Sequence, residues 1–164
     1  SMVFILSGLM FSCSSKLPLD PVWDYEKDAV TLHISADRQL NMDKGKAYTL
    51  YLAVYQSSDP NRLNQLADDA DGLETLLESK IFDPGVSSVK SMIIYPGSDV
   101  TYKMDRYKDS RYIGIVAGYN ILSKERIVRV YEVPVLDIKK GKNHKIPGIL
   151  DINLFLGPTQ IIDK

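Results

Sequence analysis

The chain has 164 residues, 45% hydrophobic and 25% charged, with twenty basic and twenty-one acidic side chains for a net charge of -1. That size and makeup suit one globular domain with a tail. The charge balance excludes the basic footprint of a nucleic-acid binder or of a protein drawn to anionic surfaces. The single cysteine, Cys13, excludes an internal disulfide.

In chain order, the first feature is the apolar run Val3 to Phe11. It falls short of the roughly 20 residues a spanning helix needs and fits the length of a signal-peptide apolar region. Ser1-Met2 reads as a start added for expression, so residues 1–12 are taken as the remnant of a leader. Met10-Phe11-Ser12-Cys13 has the form of a bacterial lipobox, which makes Cys13 the candidate lipidation site; an inert buried thiol is the alternative. Residues 13–28, with two prolines and no periodicity, read as a tether. Trp23 within it is expected to dock back onto the domain, which is assigned to residues 29–164.

Strand patterns follow. "AVTLHIS" places Val30, Leu32 and Ile34 on one face and Thr31, His33 and Ser35 on the other. "YTLYLAVY" does the same with Leu50, Leu52 and Val54 against Thr49, Tyr51 and Tyr55. The connection between them, residues 35–47, is long for a hairpin. It reads as a projecting loop whose apolar residues, Leu40 and Met42, either meet a partner or cap one end of the core.

Asp59-Pro60 signals a helix start, and Leu63, Leu66, Ala67, Ala70, Leu73, Leu76 and Leu77 recur at helical spacing. Asp71-Gly72-Leu73-Glu74 has the form of a capping box with Asp71 as cap. Two short helices are therefore expected, near 60–69 and 72–80. The cluster Asp68, Asp69 and Asp71 lacks the spacing of a calcium loop and reads as a solvated helix end.

Strands resume in "VSSVKSMIIY", "VTYKM", "RYIGIVAGYN", "RIVRVYEVPV" and "ILDINLFLG". The third is the most apolar and reads as central, with Gly114 and Gly118 on one face permitting close packing. Pro134 argues for an edge or a strand end. "DIKKGKNHKIPG" is basic and Gly-rich and reads as a solvated hairpin loop, with a small anion-binding loop as the alternative. The sum is an all-β sandwich of about seven or eight strands with a short helical insertion near 60–80.

Chemistry is harder to find. His33 and His144 are isolated in sequence, and there is no zinc spacing, phosphate loop, dinucleotide fingerprint or nucleophile elbow. No cofactor, metal, nucleic acid or small-molecule substrate is expected, and the chain reads as a binding module rather than an enzyme. Two rivals stay open: a periplasmic lipoprotein whose tyrosines bind glycan or that inhibits a cell-wall enzyme, and a hydrolase with an unmarked carboxylate pair.

Several stretches, taken in order, resemble the TssJ (SciN) family of type VI secretion lipoproteins: the lipobox-like Cys13, "VTLHISADRQLN", "YTLYLAVYQ", "LNQLADDADGLETLL", "YPGSDVTYKMD" and "RYIGIVAGYN". The similarity runs over roughly residues 29–156. It implies a transthyretin-like β-sandwich, lipid-anchored in the outer membrane and facing the periplasm. It also implies a partner, the periplasmic C-terminal region of the inner-membrane protein TssM. In the family the loop between the first two strands contacts TssM. Here that loop offers Asp37, Arg38, Gln39, Leu40, Asn41, Met42, Asp43 and Lys44, with Leu40 and Met42 as apolar anchors and the charges as a rim.

Overall fold

The computed structural model describes residues 20–139 and 144–163. Among them, ten strands and three short helices build a β-sandwich, as the alternating patterns predict. The first sheet holds β1 (Glu26–Ala36), β4 (Asp99–Arg106), β9 (Leu150–Leu156) and β10 (Ile161–Ile162), in the order β10-β9-β1-β4. The second holds β2 (Leu50–Ser57), β3 (Val86–Ile94), β5 (Tyr112–Ala117) and β6 (Val128–Glu132), in the order β3-β2-β5-β6. A separate hairpin is made by β7 (Val135–Ile138) and β8 (His144–Pro147).

Period-two alternation positions the core. Val30, Leu32 and Ile34 pair in register with Leu150, Ile152 and Leu154, and on the other side with Met104, Tyr102 and Val100. Paired residues of a ladder point to the same face, so these rows form one inner wall. Leu52, Val54 and Gln56, opposite Ala117, Ile115 and Ile113, form the other. Nearly all of these side chains are buried in one continuous core.

β2 and β5 are buried on both faces because the helical insertion covers the outside of their sheet. α1 (Asn61–Leu66) and α2 (Ala70–Leu77) lie there. The Tyr55 hydroxyl donates to the Leu76 carbonyl, and Tyr51 donates to Ser79 Oγ at 2.8 Å. Gly114, opposite Tyr55, leaves room for Leu63; a Cβ there would sit 2.4 Å from Leu63 Cδ1. The expected close packing is therefore present: Leu63 fills the space at Gly114, and Tyr51, with Leu77 beyond it, approaches Gly118.

Several expectations are corrected. The cap of α2 is Asp69, not Asp71. Asp69 is extended and its carboxylate accepts from Gly72 N at 2.7 Å, which leaves Asp71 inside the first turn, where a negative charge suits the helix dipole. Pro60 precedes the first helical residue of α1, while Asp59 accepts from Asn61 N at 2.8 Å. The run "RIVRVYEVPV" is not one strand: α3 (Lys124–Ile127) leads into β6, and Pro134 separates β6 from β7. β1 begins at Glu26, inside the stretch read as tether. A bulge between Glu26 and Val30, with Asp28 at φ 52°, breaks the alternation that would have marked the strand's first turn.

Candidate functional site

Strand directions sort the connections into two opposite ends. β1 runs from the end where residues 20–25 join the domain to the end where the 37–49 loop leaves it. Its ten steps span about 33 Å at the usual strand rise. The loop end also gathers the β3–β4 turn (95–98), the stretch after β5 (118–123) and the β9–β10 turn (157–160). The tether end gathers residues 20–25, the β4–β5 turn (107–111) and the root of the β7–β8 hairpin.

The loop is held by its backbone. Asp37 N donates to Leu156 O at 2.8 Å, the Asp37 carbonyl accepts from Gly97 N and Leu40 N, and Met42 N donates to Pro158 O at 2.8 Å. The Asp37 carboxylate closes a local turn by accepting from Gln39 N at 2.7 Å. At the tip, Asp43 and Lys46 exchange backbone hydrogen bonds of 2.9 Å in both directions around Lys44 and Gly45. Both tip residues have positive φ, 46° and 76°, the geometry of a tight hairpin turn that glycine accommodates readily. Asn41, also left-handed at φ 47°, donates its side-chain amide to Thr49 O at 3.0 Å. Beneath, buried Tyr119 shares its hydroxyl hydrogen between Gly157 O and Gln160 O; burial, and next Asp37, push its phenol well above the usual range.

The loop thus projects as a fixed platform, and its residues divide. Asp37, Arg38, Gln39, Asp43 and Lys44 are exposed, and Met42 is half-buried. Leu40 is 0% exposed and belongs to the core, and Asn41 is buried beside it. Leu40 is corrected: it caps the core and is not an outward anchor, because the turn begun at Asp37 rotates it inward. Sequence reasoning missed two aromatics at this end. Leu50 pairs with Ile94, so Tyr48 and Tyr95 leave the neighbouring ends of β2 and β3, and Tyr95 is 63% exposed. An aromatic just outside each of two paired strands was the available signal.

The family model described as Type VI secretion lipoprotein (VasD, EvfM, TssJ) matches residues 28–149, well over half of the chain. The chain belongs to this family of type VI secretion lipoproteins. Solved structures of family members share its fold. The lipoprotein TssJ1 from Pseudomonas aeruginosa aligns with a TM-score of 0.59 at 20% identity, covering 87% of this chain and 95% of that one. Serratia marcescens Lip, a membrane-bound component of the type VI secretion system, aligns at 0.63 and 17% identity, covering 82% and 97%. A chain of the structure described as the T6SS protein TssM C-terminal domain (869-1107) from EAEC aligns at 0.59 and 16%, covering 82% and 98%. No curated protein matches by sequence.

In this member of the family the tether end is as ordered as the loop end. Trp23 is 7% exposed, as its expected docking requires, and the guanidinium groups of Arg106 and Arg111 lie over its ring, 5.5 and 5.4 Å from the ring centre. Trp23 O accepts from Asp109 N at 2.8 Å. Beside them, the Tyr25 hydroxyl and Asp28 N both donate to the Asp105 carboxylate, which holds it below the usual range. Cys13 and the leader lie outside the described residues.

A groove of about 310 Å³ between the edges of β3 and β4 is lined by residues that include Gln56, Lys90, Lys103 and Asp105. His33, on the outer face of β1, shares a 2.8 Å hydrogen bond with Thr101 Oγ1. Among the described residues, no group of three His, Cys, Asp or Glu side chains converges as a metal site. No helix among them is long and apolar enough to cross a membrane.

Proposed function

We propose that this type VI secretion lipoprotein is a structural subunit of the secretion membrane complex, not an enzyme. It is lipid-anchored at Cys13 in the outer membrane and faces the periplasm. There it binds the periplasmic C-terminal region of TssM through the 37–44 loop. The single observation that carries this reading is polarity: the stretch leading from Cys13 joins the domain at one end, and the loop projects from the other, about 33 Å away along β1. A subunit bridging two membranes needs its anchor and its partner surface at opposite ends. With Leu40 in the core, the contact surface is Met42 and the polar loop residues, with Tyr48 and Tyr95 beside them; exposed aromatics are favoured anchors.

The test is capture of the TssM periplasmic region by the variant Met42→Asp/Tyr95→Ala, with Lys108→Ala, at the opposite end, as control. The expected result is a loss of affinity of about tenfold or more for the first and none for the control, with unchanged melting temperatures. Undiminished capture by the first variant would remove the loop assignment.

A further inference from the structure

The β7–β8 hairpin is the part of the fold the sandwich does not use. It belongs to neither sheet, and its strands pair only with each other. The register places Leu136, Ile138, His144 and Ile146 on one face and Val135, Asp137, Lys145 and Pro147 on the other. The first face carries three large aliphatic side chains and is open: Leu136 is 48% and Ile146 37% exposed, with Ile149 exposed just beyond. An isolated two-stranded hairpin is marginal in water, and an apolar face at its middle raises the question of what covers it.

Its root answers where to look. Arg106 is buried, and its guanidinium donates to Asp24 O at 3.1 Å and to Gly148 O at 3.5 Å. Asp24 ends the incoming chain, and Gly148 follows β8. Arg111 faces the Trp23 ring, and its carbonyl accepts from Val133 N at 2.8 Å just before the hairpin. The two arginines thus clamp the tether's end and the hairpin's base into one unit. Between Cys13 and Asp20 lie seven peptide steps, a reach of about 25 Å at full extension. Whatever surface holds Cys13, the hairpin cannot move far from it.

We propose that the hairpin is a second membrane contact: it lays Leu136, Ile138 and Ile146 into the headgroup region of the bilayer that holds the lipid on Cys13. The inference rests on the lipid-anchor reading. The Asp137–Lys145 side turns to water, and Lys139, Lys140, Lys142 and Lys145 make this stretch of sequence locally basic, so attraction to anionic headgroups, which salt weakens, adds to the apolar burial. One anchored point allows the domain to swivel; a second contact fixes which end faces the bilayer and aims the 37–44 loop away from it.

Because Cys13 is the only cysteine, the protein can be coupled through it to phosphatidylethanolamine/phosphatidylglycerol vesicles carrying a maleimide lipid. That coupling tests the hairpin whether or not the natural thiol is lipidated, and mass analysis of the cell-derived protein tests lipidation separately. Amide hydrogen exchange over residues 133–149 is compared between coupled and free protein, with Leu136→Asp/Ile146→Asp and the milder Leu136→Ser as variants. The expected result is slowed exchange confined to this hairpin on vesicles, reduced but not abolished in high salt, lost in the double variant and weakened in the single one, with the sandwich strands unchanged. Equal exchange on and off vesicles would overturn the proposal even where Cys13 carries lipid. Slowed exchange that persists in the double variant would overturn it too.

Discussion

Truncating Leu40 to alanine separates a core residue from a binding residue in the loop that the family resemblance singles out. The side chain is fully buried, and the backbone around it is pinned: Leu40 N donates to Asp37 O at 3.1 Å and Leu40 O accepts from Tyr48 N at 3.0 Å. A pinned loop collapses poorly onto a void. The loss therefore falls in the middle of the usual Leu→Ala range, at about 3 kcal/mol. For a domain of this size each kcal/mol is worth about 2–4 °C, so the melting temperature should fall by about 6–12 °C. The assay is thermal and urea unfolding of Leu40→Ala beside the exposed control Gln39→Ala, which should stay within about 0.5 kcal/mol of the parent. The reasoning is refuted if Leu40→Ala melts within 2 °C (roughly 0.5 kcal/mol) of the parent while TssM capture is lost. That pair of results would put Leu40 on the surface.

Two further outcomes follow from the second sheet. Gly114→Ala should destabilise by about 1–3 kcal/mol because its Cβ would overlap Leu63 Cδ1; in combination with Leu63→Ala the losses should be less than additive, and strict additivity in a double-mutant cycle would break the claim that α1 seats on that glycine. Burial raises the Tyr55 phenol from 10.0 to about 12, so its folded state favours the protonated form. The corresponding stability is fully present below pH 10 and is lost as the pH rises toward 12. Tyr55→Phe should therefore flatten that alkaline limb in unfolding measured from pH 9 to 12, and an unchanged limb would count against it.

The sandwich was legible where burial is one-sided. The inner rows of β1 and β9 alternate cleanly, and both were placed within a few residues. β2 and β5 also read as strands, but only the insertion explains why their second faces are apolar. What stayed hidden has local causes. The bulge at Asp28 erased the start of β1, the apolar run "RIVRVYEVPV" hid the end of α3 ahead of β6 although Pro134 signalled the break before β7, and the extended geometry of Asp69 moved the cap two residues upstream. The parallel pairing of β1 with β9 joins segments far apart in the chain, which no local pattern reports. In the loop, sequence alone left Leu40 either inward or outward. The turn begun at Asp37, where Leu40 N donates to the Asp37 carbonyl, settles it, and no local apolar pattern reports that turn.

β1 has neighbours on both sides, parallel β9 and antiparallel β4, from Val30 to Ser35. Its first residues adjoin the tether and its last residues lead into the loop. Tension between an anchored tether and a partner held at the loop is directed along this strand, at right angles to the antiparallel ladder and across the slanted parallel one. Such a pull shears both ladders at once instead of unzipping them one bond at a time. The fold is thus arranged to resist being drawn out lengthwise, as the bridging role proposed above would require.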